Sequence, residues 1–104
     1  MVYKKKILHL TLKEEWFDLI AVEQKKIEYR EFKEYWISRL MNKHDDSLKE
    51  IDEIHFKNGY SKDCPFMRVK CIEVELGYSR TYDADCFKIH LGKILEIKNW
   101  LKNK

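Results

Sequence analysis

Phe66-Met67-Arg68-Val69-Lys70-Cys71-Ile72-Glu73-Val74-Glu75-Leu76 changes its apolar phase midway. Met67, Val69 and Cys71 fall on one face of an extended chain, whereas Ile72, Val74 and Leu76 have the opposite parity. A slip of one residue exchanges the two faces of a strand, so the spacing predicts a β-bulge or sharp bend near Cys71-Ile72. Bent strands of this length are how a small sheet curls toward a barrel.

On the N-terminal side of this stretch, Ile54 and Phe56 alternate with Glu53, His55 and Lys57. That pattern predicts a strand closed by the turn signal Asn58-Gly59. On the C-terminal side, a last strand over about residues 86–91 turns Phe87, Ile89 and Leu91 inward, and a short closing turn holds Trp100. Nearer the N-terminus, residues 6–10 read as a strand covered on both sides, Leu8 and Leu10 on one face, Ile7 and His9 on the other.

Thr11 and Glu14 have the spacing of a capping box, and Leu12, Trp16, Leu19 and Ile20 recur at helical spacing to form a face that packs on the sheet. Residues 25–31 return to period two, with Ile27 and Tyr29 on one side and Lys26, Glu28 and Arg30 on the other; Tyr29 reads as core. A second helix over roughly residues 33–42 puts Tyr35, Trp36, Arg39 and Leu40 on one face and ends in the polar stretch 44–49. Trp16 and Trp36 are expected in the core, Trp36 at a cleft edge. The order strand, helix, strand, helix, then three strands predicts an α+β domain, a mixed sheet curled into a partial β-barrel with two main helices packed beside it.

The 104 residues suffice for a single domain with one core, and 44% hydrophobic with 13% aromatic residues argues against disorder. No apolar run is long enough to cross a bilayer, and the start Met-Val-Tyr-Lys-Lys-Lys lacks the features of a secretory signal, so the expected location is cytoplasmic. Cys64, Cys71 and Cys86 are odd in number and form no C-x-x-C pair, which fits small core residues rather than a disulfide framework. His9, His44, His55 and His90 supply no recognisable ligand set, so neither a metal site nor a cofactor is expected. His55 and His90 fall on the polar sides of their strands and read first as ordinary sheet histidines. The net charge of +3 is modest for a nucleic-acid binder, and much of it lies near the chain ends in Lys4, Lys5, Lys6, Lys98, Lys102 and Lys104.

The L-x-L strand at Leu8 and Leu10, the helix W-F-D-L-I at 16–20 and the strand K-K-I-E-Y-R at 25–30 together resemble the ASCH family, a PUA-like group. The family hallmark G-x-K-x-x-E-x-R is met at Lys25, Glu28 and Arg30, with Glu23 standing where the family has its glycine. The segments F-K-N-G-Y at 56–60 and L-G-K-I at 91–94 are also similar, so the resemblance runs over nearly the whole chain. It implies a PUA-like barrel with a basic cleft, lined by the motif between the barrel and the first helices, that takes RNA or nucleotides. Relatives include amidohydrolases of N4-acylated cytidine, with the motif lysine in the catalytic set, and ribonucleases; the threonine of the amidohydrolase branch is replaced here by Glu28.

The chemistry of the triplet is separable from the resemblance. Lys25 is a compact cation for phosphate or, if desolvated, a base; Arg30 is a planar fork for phosphate or a base edge, and Glu28, two residues away, can orient it. Lys25 and Glu28 are therefore the catalytic candidates, and Lys25, Lys26 and Arg30 the ligand-binding ones. Without the resemblance, Glu28 and Arg30 read first as a structural ion pair on a solvated strand face. Asn58 and Tyr60 could present a turn and a stacking ring to a base, although an Asn-Gly turn is more often only a turn, and Lys93 after Gly92 could add a phosphate contact.

Three functions follow as expectations. A binding module would hold RNA or a nucleotide with an affinity that falls steeply with salt. A small hydrolase would act on a modified nucleoside, or cleave RNA without a metal. A protein-interaction domain would use the cleft incidentally.

Overall fold

The computed structural model describes residues 3–100. Lys102 and Lys104, which contribute to the terminal charge, lie outside the described residues. Five strands and two helices follow in the expected order: β1 (Ile7–Thr11), α1 (Glu14–Ala21), β2 (Ile27–Glu31), α2 (Glu34–Leu40), β3 (Glu53–Lys57), β4 (Phe66–Ser79) and β5 (Ala84–Lys98). The strands form one sheet in the order β1-β3-β4-β5-β2, curled into a half-barrel. Only β1 and β3 are parallel, because the chain leaves β1 at one edge and forms α1, β2 at the opposite edge and α2 before it returns beside β1. Among the described residues no helix is long and apolar enough to cross a membrane.

The bend expected in β4 is present. Its register with β5 shifts between Arg68 and Val69, between Val69 and Cys71, and between Cys71 and Glu73. Met67, Val69 and Cys71 are buried before it and Val74 after it, while Ile72 is turned out to solvent. β5 is much longer than its apolar core predicts, continuing past Leu91 to pair Ile94 with Val69 and Ile97 with Met67. The strand expected to end at about residue 91 therefore runs to Lys98, and the turn before Trp100 comes only at Asn99, φ 57°. Gly92 lies opposite the bend, where a Cβ would sit 3.1 Å from Ile72 Cγ1 and 3.4 Å from the Lys70 carbonyl oxygen. Trp100 follows β5 and donates from Nε1 to Asp18 Oδ1 at 2.9 Å, tying that end of the sheet to α1.

Phe17, Leu40, Phe56, Met67, Phe87 and Ile89 form the centre of the core, with contributions from both helices and three strands. Side chains of this size each contribute roughly 1.5–3 kcal/mol by burial. Three sequence expectations are corrected here. Thr11 does not cap α1: it remains the last residue of β1, in register with Lys57, and Lys13 occupies the cap position without a side-chain bond. Extending the ladder outcompetes the capping box, and Glu14 and Glu15 in the first turn complement the helix dipole instead. α1 buries Phe17 and Ile20, leaving Trp16 43% exposed. In β2 the buried residue is Glu28, while Tyr29 is 37% exposed. An ion pair, rather than an apolar side chain, sets which face of that strand turns inward.

Candidate functional site

α1 ends in a Schellman motif. The Glu23 amide donates to the Ile20 carbonyl at 3.0 Å and the Gln24 amide to the Leu19 carbonyl at 2.9 Å, with Glu23 in the left-handed region at φ 62°. Glu23 thus makes this turn in the left-handed region without a glycine. It reverses the chain so that Lys25 enters β2 beside α1, and the Lys25 amide also bonds to the Leu19 carbonyl at 3.1 Å.

From there β2 brings the triplet together. Glu28 is 6% exposed, and its two carboxylate oxygens are held by different cations: Oε1 lies 3.5 Å from Lys25 Nζ, and Oε2 accepts from Arg30 Nη2 at 2.5 Å. Glu28 and Arg30 do form the structural ion pair expected without the resemblance, but on a largely buried surface, with the Arg30 side chain 19% exposed. Burying such a pair is costly unless the remaining donors find partners. Arg30 Nε is buried and has none within the protein.

These side chains form one wall of a cleft of about 560 Å³. Its other walls come from Thr11, Leu12 and Lys13 at the β1–α1 corner, Trp16 on α1, Trp36 on α2, and Thr81 and Tyr82 at the tip of the β4–β5 hairpin. Lys25 Nζ lies 5.5 Å from the Trp16 ring centre and 5.2 Å from that of Tyr29, and the Arg30 guanidinium lies 5.0 Å from that of Trp36. Aromatic faces therefore back both cations. Burial, with the nearby Glu31 and Glu28 charges, raises the Tyr82 pKa above its ordinary value, so its hydroxyl stays a neutral donor at the mouth.

The remaining site candidates lie elsewhere. Lys26 is exposed and paired with Glu23 at 3.2 Å. Asn58 donates from Nδ2 to the Leu12 carbonyl at 3.0 Å, bracing the β1–α1 corner from behind without lining the cleft. Tyr60 is 91% exposed and outside the cleft, as is Lys93 on β5. His55 and His90 pair with Glu53 at 3.1 Å and Glu75 at 2.8 Å, also away from the cleft. Among the described residues no group of three or more His, Cys, Asp or Glu is arranged to hold a metal. Sequence reading assigned Trp16 and Tyr29 to the core and passed over Thr11, Lys13, Glu31, Thr81 and Tyr82 as site residues. The only signal for the aromatic wall is that Trp and Tyr combine an apolar body with a polar tip, which suits a cleft as well as a core.

Fold and site together define an α+β half-barrel with a cleft in which a buried carboxylate is bracketed by two cations and faced with aromatic rings. Comparison of the chain with family models, curated proteins and solved structures finds no match.

Proposed function

We propose that this chain is an ASCH-type domain that binds RNA or a nucleotide in the cleft around Lys25, Glu28 and Arg30. The observation that supports this is the joining of the triplet with Trp16, Tyr29, Trp36 and Tyr82 in one cleft. Aromatic faces stack on any base, and the Arg30 guanidinium lining the cleft is suited to an acceptor oxygen of a base or phosphate. With Cys64, Cys71 and Cys86 free and buried, this reading assigns the domain to the cytoplasm, where thiols remain reduced.

The test is fluorescence anisotropy of labelled single-stranded RNA with wild type, Arg30→Ala and, as a control outside the cleft, Lys93→Ala. Arg30→Ala is expected to weaken binding about tenfold or more, and Lys93→Ala to leave it unchanged. Equal losses in both variants would show a diffuse charge effect, and no binding by wild type would remove the reading.

The 3.5 Å contact between the Lys25 amine and the Glu28 carboxylate favours a second reading, hydrolysis. Lys25 would activate water and Glu28 would carry the proton, acting on an N4-acylcytidine or, without a metal, on RNA. Chromatography of both substrates after incubation distinguishes this: product formed by wild type and absent with Lys25→Ala makes the cleft catalytic.

A further inference from the structure

Ring and cation contacts continue beyond the cleft from Trp36. The Trp36 ring meets Tyr35 edge to face, with ring centres 4.7 Å apart at 83°, and the Arg39 guanidinium lies over Tyr35 at 3.6 Å from its ring centre. Together with the 5.0 Å approach of Arg30 to Trp36, this makes a continuous ladder of cation and ring contacts, Arg30–Trp36–Tyr35–Arg39. Its inner end lines the cleft. Its outer end, Arg39, lines a second depression of about 680 Å³, where Lys6 and Lys49 join it against the single carboxylate of Glu50.

Trp36 packs against the core, but core packing does not require the outer half of the ladder, Tyr35 and Arg39. The buried residue of α2 is Leu40, whereas Tyr35 is 55% exposed and Arg39 is also turned to solvent. Holding two long exposed side chains in a stack costs rotamer entropy, and the i,i+4 pairing with the Tyr35 carbonyl at 3.0 Å offsets only part of it. What the ladder provides is a stacking surface backed by a cation, leading from an aromatic cleft to a cationic depression.

We propose that this ladder is the path of a single nucleic-acid strand leaving the cleft. One base sits in the cleft against Trp16 and Trp36, the next stacks at Tyr35 and Arg39, and the following phosphate reaches the depression lined by Lys6, Arg39 and Lys49. Trp36 and Arg39 are separated by roughly 4.5 Å along the helix axis, so the path accommodates a few nucleotides rather than a long strand. The choice of nucleic acid over protein follows from the charge of the outer depression and from the tolerance of ring and guanidinium faces for any base. This path rests on the nucleotide-binding reading of the cleft.

The test compares homotetramers of the four ribonucleotides with the matching nucleoside monophosphates, using the full chain and its Tyr35→Ala, Arg39→Ala and Arg39→Gln variants. Both residues are exposed, and Arg39→Gln retains much of the stem, so a folded variant is available. The tetramers are expected to bind wild type about tenfold or more tighter than the monophosphates, and Tyr35→Ala and Arg39→Gln to weaken tetramers about tenfold while leaving monophosphates unchanged. Equal affinity for tetramer and monophosphate, or variants that lose neither, would overturn the path and leave the cleft reading standing. Absence of binding by both probes would overturn the two together. A hexaglutamate peptide that binds through Arg39 where tetramers do not would assign the ladder to a protein contact and overturn the path.

Discussion

Glu23 holds a backbone conformation, φ 62°, that costs an L side chain roughly 1–2 kcal/mol relative to glycine. It is retained because the Schellman bonds from Glu23 and Gln24 require it, and these bonds aim Lys25 at the cleft. The side chain returns little: its contact with Lys26 at 3.2 Å is exposed on both partners. Glu23→Gly removes the strain but increases the freedom of the unfolded chain by about 0.5–1 kcal/mol. A net gain of about 0.5 kcal/mol is expected, read as a melting temperature about 2–4 °C higher in circular dichroism. A lower melting temperature would mean that the Glu23 side chain contributes more than its exposed ion pair accounts for. Glu28 shows the opposite balance: its burial is supported by Lys25 and Arg30, so its value lies in positioning two cations at a cleft wall.

Elements with a pure apolar alternation were legible from the sequence, and those organised by charge were not. β3 was readable because Ile54 and Phe56 alternate with polar neighbours, and the β4 bend because no straight strand can bury both Val69 and Val74. β2 was misread on its faces because hydrophobic pattern is blind to a carboxylate that enters the interior paired at Oε1 and Oε2. Gly92 allows close approach to Ile72 within an unbroken strand, a role that no hydrophobic pattern signals. The same blindness applies to Glu53 on β3, which is 5% exposed and bonded to Lys5 at 2.7 Å, His55 at 3.1 Å and Arg68 at 2.9 Å. Arg68 continues to Glu96 on β5 at 2.9 Å, so the network spans three strands. Lys5, then His55 and Arg68, hold the Glu53 carboxyl down at about 2 against an ordinary 4.5. A depressed folded pKa contributes stability that is complete above pH 4.5 and lost as pH falls toward 2. Urea unfolding is therefore expected to show a free energy falling through that window, with at most about 3 kcal/mol from this carboxyl. Glu75 and Glu96, lowered by His90 and by Arg68, act in the same direction, so Glu53→Gln isolates the effect. It should lower stability at pH 7 and flatten the acid slope; an unchanged slope would assign the acid loss to the other carboxylates.

Across the whole molecule, the net charge of +3 is thinly spread, and the cleft sets Lys13, Lys25 and Arg30 against Glu28 and Glu31. A field this weak cannot gather a polyanion by counterion release alone, which changes the steep salt dependence expected from a basic cleft. Along the proposed strand path phosphate is met at most about three times, by Lys25 and Arg30 in the cleft and by the depression of Lys6, Arg39 and Lys49, while the rings supply the rest by stacking, which salt screens little. For single strands, three neutralised phosphates give a slope of log K against log salt of about −2. Affinity for a short RNA should then fall only about 20-fold between 50 and 200 mM salt, against the roughly 300-fold loss of a single-strand binder that makes six phosphate contacts. Anisotropy titrations at four salt concentrations measure this slope directly. A slope near −2 that is shared by Trp36→Ala, with a lower affinity at every salt concentration, would separate ring stacking from charge as the main source of binding. A slope of −4 or steeper would mean that lysines outside the path, among them Lys4 and Lys5, dominate the contact, and the aromatic wall would then have little part in holding the strand.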